Sequence, residues 1–293
     1  PSRALRIVVP FGAGGVADLT ARTVAQKMAQ GLGQPVVIEN KPGAGGVGAS
    51  DTVAKAAADG HTLLLMSNAS AVTATLFNKL PYDTVKDFTP VSTLGFFDIA
   101  VVTAAESKFK TLADVLAYAK AHPGQLNVGS INIGSTQNLA AELFKSNAGV
   151  DMQIVPFNGT PAVVNALRGG QIDVAVEIVS PIVGQIKGGA LRALAVTGRH
   201  RNPRLPTVPT LAESGFPDIV VLSVGGLSVP AGTPAPQVAR IESAMRQVLA
   251  MPALREKIEA TGTQVANSGS QAYTEELATE IDAQGPRQWR VVV

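Results

Sequence analysis

The sequence predicts an α/β protein of two αβ lobes with a hinge of two crossing strands, and three observations predict it. Short apolar runs alternate with stretches of helical period from Leu5 onward, which calls for a mostly parallel sheet covered on both faces. A strand, a loop of small residues and a helix start occur at 5–18 and again at 126–143. Two long apolar runs, at 96–104 and 219–230, then carry the chain out of one alternating block and back into it. Such a course makes the first lobe discontinuous, 1–100 with 225–293, and the second an insertion, 101–224.

Taken in order, LRIVV is a buried strand that meets Pro10 and a glycine loop before the helix that runs to the glycines at 31 and 33. PVVIE is the second strand, and PGAGG at 42–46 opens the next helix, which Gly60 ends before the strand TLLLM. Ser67, Asn68 and Ser70 follow at the carboxyl end of that strand, the edge where open α/β sheets bind ligands; a polar turn built on its own backbone is the other reading. After FFDIAVVTA the alternation restarts with a helix that Thr111 caps, with Asp114 three residues on and Pro123 and Gly124 at its end. Strands follow at LNVG, MQIVPF, IDVAVEI and LRALAVT, with helices separating them. The second crossing, IVVLSVGGLSVP, precedes three helical stretches that extend towards the C-terminus.

Composition removes several functions. The net charge is only +2, and the one basic cluster, RHRNPR at 199–204, is interrupted by Asn202 and Pro203, so it reads as a solvated loop and nucleic acid is not expected. There is no cysteine, and the histidines at 61, 122 and 200 show no ligand spacing, which leaves neither thiolate nor clustered imidazole for a metal. No apolar run has the length of a membrane span. The numbering starts at Pro1, so an export signal is expected to have been removed from this chain.

The glycine loops carry the chemistry. The first N–H groups of a helix lack intrahelical partners, and the peptide dipoles place about half a positive charge there, so an anion is stabilised at that end. Glycines at 12, 14 and 15 open the approach, and Asp18 in the first turn shapes the loop by capping backbone N–H groups. Gly12, Gly14 and Ala17 also satisfy the G-x-G-x-x-A dinucleotide fingerprint, with Glu39 near the position of a ribose-binding acid. Pro10 and Phe11 separate the strand from the first glycine, which a pyrophosphate-binding turn does not do, so a nucleotide-dependent enzyme is the runner-up. No G-x-S-x-G elbow supports a hydrolase.

The ordered segments RIVVPFGAGGVAD, LGQPVVIENKPGAGGVGA, LPYDTVKDFTPVS, AAELF, VPFNGTPA, GGQIDV, LRALAVT, LPTVPTLAESG and GLSVPAGTP resemble the Bug family, periplasmic solute receptors of tripartite tricarboxylate transporters. The resemblance spans Leu5 to about Gln288. It implies a type II periplasmic binding protein fold and a carboxylated solute held in an interlobe cleft by backbone and small polar groups of two loops. Carried over by position, the first loop is 11–18, with Phe11 at its start, and the second is 130–138, with Ser130, Asn132, Ser135, Thr136 and Gln137. Asn68, Asn158 and Glu177 match further polar positions. The implied partners are the permease subunits, the location is periplasmic, and neither cofactor nor catalysis is implied; a receptor recruited for signalling is a further alternative.

Departures from the family pattern lower the polar capacity. Val16 and Ala17 stand where a hydroxyl often precedes the acid of the first loop, the second loop lacks a histidine near Asn138, and Phe157 and Asn158 replace Tyr and Lys. With no Lys or Arg in either loop, the anion is expected to be held by main-chain N–H groups at Ala13, Gly14 and Ala17, and by Ser130, Ser135 and Thr136, partly through water. Glu177 either faces the ligand, where an ionised acid would favour a monocarboxylate or amino acid over citrate, or ends its strand in solvent. A monomer is expected.

Overall fold

The computed structural model describes residues 1–68, 70, 73, 74, 77, 79–259, 263–266 and 268–275. The third C-terminal helical stretch lies outside the described residues from 276 on. Two compact units divide the chain: Pro1–Phe96 with Val224–Glu259 and the described residues from 264, and Phe97–Ser223 with Thr263.

In the first unit, β1 (Leu5–Val9) pairs in parallel with β2 (Val36–Asn40) and β3 (Thr62–Ser67), and β3 pairs antiparallel with β9 (Leu222–Pro230). Successive residues of a strand point to opposite faces, and both faces are covered. Leu5, Ile7 and Val9 of β1 with Leu63 and Leu65 of β3 pack against Val24 and Met28 of α1 (Val16–Leu32), Ile241 and Met245 of α7 (Ala235–Leu249), and Leu254 of α8 (Pro252–Glu259). Val8, Leu64 and Met66 face the other way, onto Ala49 and Val53 of α2 (Val47–Ala54), Tyr82, Phe88 and Tyr273.

In the second unit the strand order is β4 (Phe88–Ala104), β7 (Val174–Ile178), β5 (Asn127–Ile131), β6 (Gln153–Phe157), with β8 (Leu191–Val196) also on β4. Strands β7, β5 and β6 are parallel neighbours, so the helices that follow them all begin at one edge: α4 (Thr136–Ala148), α5 (Thr160–Arg168) and α6 (Val179–Lys187). The helix α3 (Leu112–Ala121) has the capping box its sequence predicts, with the Asp114 N–H donating to Thr111 Oγ1 and the Thr111 N–H to Asp114 Oδ2.

Both crossing strands change unit along their length. The first is longer than its apolar run: β4 begins at Phe88, where Ser92 and Thr93 bond Ser268, and the Ala266 N–H donates to Leu94 O. The second is shorter, because β9 starts at Leu222 and residues 219–221 are not strand. The loop at 199–204 is exposed except for Asn202, whose buried amide donates to the Asp98 carboxylate and pins it to β4.

Candidate functional site

Each unit carries one loop between a strand end and a helix start, and the two loops are built alike. In the first, Gly15 is the N-cap of α1 and makes no side-chain cap, while Asp18 Oδ2 reaches back to accept the N–H of Gly14, just before the cap, at 3.0 Å. In the second, Ser135 is the N-cap of α4, and Asn138 Oδ1 accepts the Gly134 N–H at 3.2 Å. Asp18 and Asn138 are both the third helical residue, four after a glycine held at φ near +80°. That left-handed conformation turns the peptide back towards the helix terminus at no side-chain cost.

The first loop is charged. Asp18 is 2% exposed, and Arg22 Nε donates to its Oδ1 at 2.9 Å. Burial would push its carboxyl up, but the Arg22 and Asn40 side chains and the Gly14 N–H outweigh that and hold it below the usual carboxylate range. Asn40 donates to Phe11 O, and the Phe11 ring packs on the core, so Phe11 positions the loop from beneath. Gly12 and Ala17 are half-buried and Ala13 is exposed. The Gly14 N–H, expected to meet a ligand, is instead spent on Asp18 because a buried carboxylate so near must take donors. The first-turn N–H groups of Val16 and Ala17 have no acceptor within the helix.

The second loop is neutral. Asn138 also donates from Nδ2 to the buried Ser130 Oγ at 3.2 Å, and its own N–H donates to Ser135 Oγ. The Ser135 hydroxyl donates to Ile131 O at 2.9 Å and its N–H to Asn132 O at 2.9 Å, so both donors expected to reach a ligand are spent on carbonyls of the loop itself. Asn132 in turn donates its N–H to Phe157 O, which ties the ends of β5 and β6 together. Thr136 Oγ1 accepts from Ser223, and the first-turn N–H of Gln137 lacks an intrahelical acceptor. Asn158 is exposed on the turn before α5. In the first unit, Ser70 Oγ accepts the Ser67 N–H at 3.5 Å, as in a polar turn that bonds its own backbone, whereas the buried Asn68 Oδ1 accepts the N–H of Val224 on β9 at 3.5 Å.

Glu177 is not a solvent-exposed strand end: it is 0% exposed. The reason is its place at the end of β7, below the starts of α4 and α5. Thr160 Oγ1 and the Ile178 N–H both donate to Oε2, at 3.1 and 3.3 Å, while Oε1 has no hydrogen-bond partner. Burial pushes its carboxyl up to about 7 against the lowering by Thr160, Gln137 and the Ile178 N–H. Near neutral pH the carboxyl is therefore divided between its neutral and ionised forms.

Two features of the dinucleotide reading are committed elsewhere. Asp18 takes the Gly14 N–H, and Glu39 is paired with Arg6 Nη1 at 3.0 Å and Lys41 Nζ at 3.2 Å. Residues that sequence reasoning missed are Arg22, Asn40, Thr160 and Ser223. The spacing shared by Gly14 with Asp18 and Gly134 with Asn138 would have pointed to the loop staples; nothing local marks Thr160 or Ser223.

Residues 20–287 match the family model described as tripartite tricarboxylate transporter family receptor. The chain belongs to this receptor family. The match starts just after the first loop, which the fold comparisons include. Protein BugT of Bordetella pertussis is 36% identical over 265 residues, 89% of this chain and 81% of the relative. MatC from Rhodopseudomonas palustris, solved with bound malate, is 34% identical with a TM-score of 0.92 over 97% of this receptor and 98% of MatC. Rpa4515 of R. palustris, solved with adipate, is 29% identical with a TM-score of 0.93 over 100% of this receptor and 96% of that chain. The receptor thus has the two-lobed α/β fold of the periplasmic binding proteins in the Bug family, whose members are solute-binding receptors. No helix among its described residues is long and apolar enough to cross a membrane.

Proposed function

We propose that this receptor works in the periplasm as a monomer, captures a small carboxylate with the loops at 11–18 and 130–138, and delivers it to the permease subunits of a tripartite transporter without catalysing a reaction. The observation that carries this reading is a pair of helix N-termini, one per unit, each fronted by a loop free of Lys and Arg. Each such terminus contributes up to ~2 kcal/mol to an anion when partly buried, and each charge-assisted hydrogen bond about 1.5–3 kcal/mol. A few of these reach the ~8 kcal/mol of a micromolar complex.

The two termini differ in what they have left to offer. That of α1 already holds the Asp18 carboxylate, whereas that of α4 is stapled by the neutral Asn138. One uncompensated anion position favours a solute with one carboxylate, a monocarboxylate or amino acid, over citrate. MatC and Rpa4515 are named with dicarboxylates, so those two solutes belong in the test.

Thermal shift with propionate, lactate, alanine, malate, adipate, citrate and nicotinamide dinucleotide, followed by calorimetry of the positives, tests the reading. Carboxylates are expected to raise the midpoint and the dinucleotide to leave it unmoved. Asn138→Asp, which places an anion at the start of α4, is expected to weaken binding about tenfold, ~1.4 kcal/mol. A dinucleotide that stabilises where no carboxylate does would refute the proposal.

A further inference from the structure

Nine polar residues are buried at the carboxyl edge of β5, β6 and β7, and eight of them are neutral: Ser130, Asn132, Ser135, Thr136, Gln137, Asn138, Thr160 and Ser180. The ninth is Glu177, the one acid among them. Its Oε2 already receives two donors, which fill the acceptor sites of that oxygen. The acid proton therefore belongs on Oε1, the oxygen left without a partner. A buried donor without an acceptor is costly, and such a group is retained where something arrives to use it.

The surroundings are short of compensating charge. Gln137 and Thr160, which adjoin the carboxyl, are neutral and stand in the first turns of α4 and α5. On β4, Ala100 lies opposite Glu177 in the antiparallel register. The titratable group of β4 on that face, Asp98, is bonded to Asn202. Strand β5 carries no charged residue, Glu142 lies midway along α4, and Lys145 and Arg168 are in the last turns of α4 and α5. No charged side chain acts on Glu177 among the described residues.

We propose that Glu177 is the proton-bearing partner of the solute: a carboxylate seated on the first-turn N–H groups of α4 is accepted only while Glu177 is the neutral acid. Solute capture above neutrality is therefore linked to uptake of one proton. This deepens the carboxylate reading and rests on it. Two like charges a few ångströms apart in so buried a setting cannot both persist, so an arriving anion keeps the proton on Oε1 even though that oxygen is shielded from solvent. The upward displacement of the Glu177 carboxyl to about 7 is the starting condition that makes this linkage operate near neutral pH.

The test is calorimetry of wild type and Glu177→Gln with malate, adipate, propionate and lactate, in two buffers of different ionisation enthalpy, from pH 6 to pH 9. Wild type is expected to take up close to one proton per solute at pH 8 and to lose about tenfold in affinity per pH unit above 7. Glu177→Gln, neutral and of the same shape, is expected to bind with no uptake and a flat profile over that range. Binding by wild type with no uptake at pH 8, or uptake that persists in Glu177→Gln, overturns the inference while leaving the carboxylate reading intact. Absence of binding by all four carboxylates overturns both.

Discussion

Glu177→Gln should make the unliganded receptor more stable at pH 8 and leave its stability almost unchanged below pH 4.5. The carboxyl is displaced upward from its ordinary 4.5 to about 7 because burial disfavours its charged form. Through that window the folded protein keeps a proton that the unfolded chain has released, so wild-type stability falls as pH rises. One pKa unit is 1.36 kcal/mol, and the displacement therefore amounts to about 3 kcal/mol, fully lost above pH 7. Glutamine still accepts from Thr160 and the Ile178 N–H but has no charge to desolvate. Urea unfolding followed by circular dichroism at pH 4.5, 6 and 8 reads the difference, since other titrating groups cancel when the two proteins are compared. The gap should open from near zero to about 3 kcal/mol across the series, several degrees in a thermal melt. A gap that does not depend on pH, or wild type the more stable at pH 8, would refute the reasoning.

Asp18→Ala removes the loop staple and the partner of Arg22 and should cost about 1–2 kcal/mol by urea midpoint at pH 7. Since the Asp18 carboxyl is held below its ordinary value, that contribution is present above pH 3.8 and is lost as pH falls through the depressed pKa, so the gap should close in strong acid. Asp18→Asn should cost less, because Asn138 makes the same bond to Gly134. Gly226→Ala places a methyl group closer than van der Waals contact to the Tyr273 ring, which is fully buried and whose hydroxyl donates to Met66 O at 3.2 Å. It should destabilise by about 1–3 kcal/mol, whereas Tyr273→Phe, which keeps the ring and removes the hydroxyl, should cost about 1 kcal/mol.

The strands and helices were legible where period and punctuation agreed. LRIVV, TLLLM and IDVAVEI are apolar runs bounded by glycine, proline or polar residues, and each is a strand. The Thr111 capping box was readable because all its atoms lie within four residues. The first crossing strand was underestimated because Pro90 and the polar Ser92 and Thr93 interrupt its pattern. Their satisfaction comes from Ser268 and Ser270, some 175 residues away, which no local window contains.

At the candidate site the split follows the same line. The residue types and the helix starts were visible in sequence, since a glycine loop before an amphipathic helix is a local signal, and so was the membership of the two loops. Which donors remain for a ligand was not visible, because Asp18 claims the N–H of Gly14, and Ser135 spends its N–H on Asn132 O and its hydroxyl on Ile131 O only once the backbone is folded. The state of Glu177 was least visible of all. An acid near a strand end reads as solvated, and its desolvation is produced by α4 and α5 closing over β7, groups brought together from 137, 160 and 177. Sequence alone determined the order of elements and the chemistry on offer, because both depend on neighbours along the chain. Tertiary structure decided which donors are spent and which acid holds its proton more tightly, because hydrogen-bond competition and burial depend on neighbours in space.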